Sequence, residues 1–121
     1  MTFDNLQKYV IARIKELVTI TVCQEEAGEF DDYPYLIVKF PSADFRIRKR
    51  GDYICEVDFW DNTNNKDTII AQSDALKAGF DYYWQSETGG FYTSFIIFEG
   101  GILAGKENMC RIQQRYILKA R

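Results

Sequence analysis

Three stretches of the chain carry residue types at spacings that could do chemistry. Residues 100 to 107 read GGILAGKE, which satisfies G-x-x-x-x-G-K through Gly100, Gly105 and Lys106 but has Glu107 where a phosphate-binding loop needs Ser or Thr. Such a loop joins a strand to a helix, so that backbone amides and the helix N-terminus face the anion while the hydroxyl holds magnesium. From Met109 onward the chain reads MCRIQQRYILK, which alternates as a strand does, and the Glu107 carboxylate would stand against the phosphates. The stretch is read as a glycine-rich connection between two strands, its glycines serving a backbone turn.

Asp61 to Asp67, DNTNNKD, imitates the start of a calcium loop, but Lys66 replaces the glycine at its sixth position and Gln72 the bidentate Glu at its twelfth. Asn and Asp here are better suited to cap the helix that follows. Glu56 and Asp58 stand two apart and so share one face of a strand, a spacing open to acid–base work. Pairing with basic strand neighbours, Arg46 and Arg48 or Arg111 and Arg115, is the commoner use of such charges. The chain has no His, which leaves a Ser or Cys nucleophile without its usual base. Cys23, Cys55 and Cys110 lack metal-binding spacing and are read as three reduced, mostly buried thiols. Neither a catalytic site, a metal nor a cofactor is expected.

The elements that must hold these residues fit one domain spanning 1–121, because 121 residues can build one core of ordinary density and not two. A hydrophobic content of 46% and an aromatic content of 16% separate the chain from charge-rich disorder. The net charge of −3 implies no general attraction to polyanions. No run approaches the roughly 18 apolar residues of a membrane span, and charges interrupt the N-terminal stretch where a signal peptide is apolar, so neither export nor a membrane partner is expected.

Phe3, Leu6, Val10, Ile14 and Leu17 form one stripe of an opening helix that Thr2 or Asp4 can cap, and Val18 to Val22 read as a short strand. Glu25 to Asp32 is an acidic loop. Pro34 keeps Tyr33 out of a helical backbone ahead of a strand from Tyr35 to Phe40. Phe45 to Arg50 and Tyr53 to Trp60 alternate about Gly51 and Asp52 as a hairpin, with Tyr53, Cys55, Val57 and Phe59 on its core face. Ile69, Ser73, Leu76, Phe80 and Tyr83 recur at helical spacing in a second helix, expected to fray at Gly79. Strands over 89–98 and 109–119 close the chain. The fold class expected is α+β: a mostly antiparallel sheet of about five strands with two helices packed on one face.

Two surface features remain. Arg46, Arg48 and Arg50 lie along one side of the run RIRKR, suited to an acidic partner or to passing nucleic acid, or else to guarding a sheet edge. Tyr82, Tyr83, Trp84, Phe91, Tyr92, Phe95 and Phe98 crowd the third quarter with more aromatic area than so small a core can enclose. That segment is expected to carry a self-association surface, with Trp84 and Tyr92 as candidate contacts beside the three arginines. A small-ligand or regulatory domain, with the aromatic segment lining a pocket, is the other reading.

The opening helix, the strand YPYLIVKF, the strand ending VDFWDN, the helix DTIIAQSDALKAGF and the last strand with RIQQRYILK together resemble the tail-completion or tail-terminator proteins of long-tailed bacteriophages and prophages. The resemblance spans nearly the whole chain and implies a virion protein, assembled in the host cytoplasm, that forms a ring, typically hexameric. Such a ring caps the tail tube, joins it to the head connector and surrounds the passing DNA. It brings no catalytic residues. A ring needs two unlike contact surfaces, and Glu25 to Asp32 facing Arg46 to Arg50 is one complementary pair the sequence offers. The aromatic stretch 82–98 and the glycine loop after it depart from the family pattern.

Overall fold

A computed structural model describes residues 1–25, 33–41, 52–62, 66–102 and 109–121. Its elements are α1 (Phe3–Leu17), β1 (Thr21–Gln24), β2 (Tyr35–Lys39), β3 (Asp52–Asn62), α2 (Lys66–Phe80), β4 (Tyr83–Glu87), β5 (Gly90–Ile102) and β6 (Met109–Ala120). The strands form one curled sheet in the order β1-β2-β3-β6-β5-β4, parallel between β1 and β2 and antiparallel elsewhere. The class is α+β, as expected, with six strands among the described residues where about five were expected.

Helix α1 starts where the Thr2 hydroxyl accepts the backbone N–H of Asn5 at 3.2 Å, which satisfies one of the four amides a helix start leaves free. Leu6, Val10 and Ile14 recur every four residues on its buried side. Val18 is extended and buried, but the strand begins only at Thr21. The delay has a local cause in α2: the Gln72 amide oxygen accepts Thr19 N–H at 2.8 Å and the Gln72 amide nitrogen donates to Thr19 Oγ1 at 2.9 Å. A residue whose amide is taken by a side chain has no amide to give a sheet ladder.

Strand β3 is the middle of the structure, paired with β2 on one side and along its whole length with β6 on the other. Tyr53, Cys55, Val57 and Phe59 are all buried and join Leu36 and Val38 of β2, Tyr116 and Leu118 of β6, and Tyr92 of β5. The same core contains the stripes of α1 and α2, so both helices cover this one face of the sheet. Each fully buried Leu, Val or Phe contributes roughly 1.5–3 kcal/mol relative to exposure. The expected hairpin partner of β3, residues 45–50, lies outside the described residues.

Helix α2 does not fray at Gly79 but runs to Phe80, and the glycine has another use. A Cβ at 79 would overlap the end of the Leu17 side chain, so a larger residue there requires Leu17 to move aside. Arg13 reinforces the contact by donating to the Gly79 carbonyl at 3.0 Å while its guanidinium lies over the Tyr83 ring, 4.2 Å from the centroid. Tyr83 is not helical. Tyr82 has φ 56°, a left-handed backbone that ends the helix, and β4 begins at the next residue.

Two residues, Thr88 and Gly89, join β4 to β5. Strand β5 bulges between Ile96 and Phe98, and the Asp81 carboxylate accepts Ile96 N–H there at 2.9 Å. Gly100 to Ile102, expected in a loop, extend β5, and Ile102 pairs with Arg111. The GGILAGKE stretch therefore leads from one strand toward its antiparallel neighbour, and the next described element after it is strand β6, not a helix whose N-terminus could face a phosphate.

Candidate self-association surface

The sheet face turned away from the helices is polar and aromatic. Register places Glu56 opposite Arg115, Asp58 opposite Gln113 and Trp60 opposite Arg111, all on this face. The Asp58 carboxylate accepts from Arg111 Nη2 at 2.8 Å and Nε at 3.2 Å, and Glu56 lies 3.3 Å from Arg115 Nε. These are the pairings with Arg111 and Arg115 that the strand alternation suggests. The guanidiniums also cover rings, Arg111 at 5.2 Å from the centroid of Trp60 and Arg115 at 5.1 Å from that of Phe98. Both carboxylates are held by cations in a rigid ladder, an arrangement for fixing the sheet face.

Beyond this ladder, toward β4, charge gives way to exposed apolar surface. Tyr82 is 80% exposed, Trp84 59%, Ile97 55%, Phe98 44% and Phe91 38%. Tyr82 packs edge-on against Phe95 at 5.2 Å, and Trp84 lies against Phe91 at 6.2 Å, so the rings are ordered in pairs before any partner arrives. The bulge turns Ile97 outward and returns Phe98 to the same face as Phe95, which keeps the apolar band continuous. Among the described residues β4 pairs with β5 alone, and its one charged residue is Glu87 at the strand's end.

The structure divides the candidate contacts. Trp84 is on the exposed band. Tyr92 is not available to a partner: it is fully buried on the helix side, opposite Gln85, and its hydroxyl donates to Gln85 Oε1 at 3.1 Å. Tyr83 donates to the same oxygen at 3.1 Å, and Gln85 Nε2 donates to Glu87 at 2.8 Å. Burial pushes the Tyr92 phenol far above its ordinary range, so it stays a neutral donor. Arg46, Arg48 and Arg50 lie outside the described residues, as do most of the acidic loop and the interior of both the GGILAGKE and DNTNNKD stretches.

A buried polar network escaped the sequence reading. Gln114, fully buried on β6, accepts from the Tyr116 hydroxyl at 2.6 Å and donates to Glu99 at 2.6 Å and to the Ser73 carbonyl at 3.0 Å. Lys77 reaches Glu99 at 2.9 Å. Partial burial favours protonated Glu99, but the hydrogen bonds from Lys77 and Gln114 outweigh it and hold the carboxyl below its ordinary value. All three cysteines are buried, and burial, then the Glu56 charge, pushes the Cys55 thiol far up, away from thiolate chemistry.

Among the described residues no group of three or more acidic, Cys or His side chains is placed to hold a metal ion, and no helix is long and apolar enough to cross a membrane. Two recesses, of about 470 Å³ against α1 and about 310 Å³ between α2 and β5, contain none of the aromatic residues of 82–98 in their walls. Neither a protein-family model nor a curated protein matches the chain.

Proposed function

We propose that the protein is a structural virion subunit of a long-tailed phage or prophage, a tail terminator or tail-completion protein that forms a ring at the end of the tail tube and joins it to the head connector. The observation that carries this reading is the exposed aromatic band of β4 and β5, held rigid by ring pairs and the charged ladder beside it. A contiguous apolar patch on an ordered sheet is a contact surface waiting for protein. The resemblance of the strand and helix segments to tail-completion proteins supplies the kind of assembly. The role is binding and shape, with no bond-making step.

The ligand-binding alternative is weakened because Tyr82, Trp84, Phe91 and Phe98 are exposed and no aromatic residue of 82–98 lines either of the two recesses described. Mass measurement in solution, alone and with a tail-tube protein, tests the reading. A closed oligomer, or binding to tube ends, is expected; a monomer that ignores tubes and is stabilised by small metabolites overturns it.

A further inference from the structure

Strands β4 and β5 turn a group of rings to the helix-free face of the sheet. Register sets Trp84 opposite Thr93, Ser86 opposite Phe91, Phe95 opposite Ile117 and Phe98 opposite Arg115, all on that face, and Tyr82 stands edge-on to Phe95. The residues between the rings, Ser86, Thr93 and Ile117, carry no charge. The charges that border them, Arg115 and Lys119 of β6, lie opposite Glu56 and Asp52 of β3 in register. The face thus has a neutral aromatic centre with its charges balanced along one side.

We propose that this face is covered by the same face of a second copy, the two sheets packed against each other about a two-fold axis. The inference rests on the self-association reading above and adds its symmetry. Aromatic side chains present roughly 150–250 Å² each, so the exposed fractions of Tyr82, Trp84, Phe91 and Phe98 amount to roughly 400 Å². A specific interface takes about 800 Å² per partner, about 56–65% of it apolar. The four rings supply most of that apolar share, and two sheets packed face to face about 10 Å apart bury the side chains that stand off each of them.

In a contact between identical chains the complement must lie on the chain itself. Among the described residues the other large exposed apolar side chains are Ile97, at the bulge of β5, and Tyr33, which stacks on Tyr35 at 5.3 Å beside β2, three strands away from β5. One exposed ring does not match four in area, so the patch of one copy meets the patch of the other, an isologous contact. Such a contact sets like groups near like groups, which a patch of one charge would resist; the neutral centre around Thr93 permits it. A closed oligomer assembled through this contact holds an even number of copies and completes itself through other surfaces.

The experiment treats the full chain, unmodified or carrying Thr93→Cys or Ala12→Cys, with a short bismaleimide; the native cysteines are buried. Residues near a two-fold axis meet their own copies, so Thr93→Cys is expected to give cross-linked dimers, while Ala12→Cys on the exposed side of α1 and the unmodified chain give none. In sedimentation equilibrium the unmodified chain is expected to self-associate, and Trp84→Lys, which brings a charge into the neutral centre, to weaken that association roughly tenfold or more. A Thr93→Cys protein with an unchanged far-ultraviolet spectrum and no dimers overturns the proposal, as does association that Trp84→Lys leaves unaltered. A chain that sediments as a monomer at every concentration but loses tube binding on Trp84→Lys gives the face to the tail-tube protein and overturns it too. Thr93→Cys dimers from a chain that ignores tubes remove the tail reading and leave the paired face standing; tube binding without those dimers does the reverse.

Discussion

Arg111 grips Asp58 across two neighbouring strands, 2.8 Å from Nη2 to Oδ1, with the Asp58 side chain almost fully buried and that of Arg111 38% exposed. The register opposes Asp58 to Gln113 and Arg111 to Trp60, so this is a diagonal contact that a short side chain could not make. Trp60 supplies a ring to back the guanidinium, which lowers the entropy lost in holding it.

Because the acid is buried and the base is not, the two halves of this pair are not equivalent. Arg111→Ala leaves a buried carboxylate without its cation and should lower stability by about 3 kcal/mol in urea unfolding. Asp58→Asn leaves a partly exposed arginine that water can solvate, and should cost about 1 kcal/mol. The double variant should recover part of the Arg111→Ala loss. Equal costs for the two single changes would show that the burial difference does not govern the pair.

Gly79→Ala tests the approach of α1 to α2. In an ordinary helix interior this change is favourable by roughly 0.5–1 kcal/mol. Here the new methyl meets Leu17, and overpacking of this kind costs roughly 1–3 kcal/mol, so the net effect should be destabilising by about 1 kcal/mol. In a Leu17→Ala background the sign should reverse. Thermal unfolding of the four proteins gives the coupling directly.

Much of this was readable from residues alone, where one strong pattern decided the outcome. The alternation in YICEVDFW put Tyr53, Cys55, Val57 and Phe59 in the core and Glu56 and Asp58 within reach of Arg111 and Arg115, because side chains of a strand alternate whatever its partners are. Strand β4 was hidden because Tyr83 continues the helical spacing of Leu76 and Phe80; only the left-handed backbone at Tyr82 stops the helix, and no propensity marks a tyrosine for that. Which of the two aromatic candidates is exposed was hidden for a related reason. Trp84 and Tyr92 look alike as aromatic residues near glycines, and only the register Gln85 opposite Tyr92 sends one out and the other in.

The Lys77–Glu99 pair gives stability a definite pH signature. Glu99 is held below its ordinary 4.5, so its contribution is present above that value and is lost as pH falls through the lowered one. Lys77 is raised above its ordinary 10.5, chiefly by the hydrogen bond to Glu99, so its contribution is present below 10.5 and is lost only as pH rises through the raised value. Between these limits the wild type should exceed Glu99→Gln in urea midpoint. Below the lowered pKa the two should converge, and a difference that persists undiminished into strong acid would show that the charge of Glu99 is not its source.

Trp84 and Tyr92 should separate association from stability. Trp84 is mostly exposed and among the described rings lies against Phe91, so Trp84→Ser should leave the unfolding free energy within about 0.5 kcal/mol and should weaken self-association at least tenfold by sedimentation. Tyr92→Phe removes one of two phenols donating to Gln85 Oε1 and leaves the acceptor its other donor, Tyr83. It should cost about 1 kcal/mol and leave association unchanged. The two effects are separable because they lie on opposite faces of the same two strands. A Tyr92→Phe protein that unfolds as the wild type does but no longer associates would place the contact on the helix side of the sheet, against the exposure of Trp84, Phe91 and Phe98 on the other.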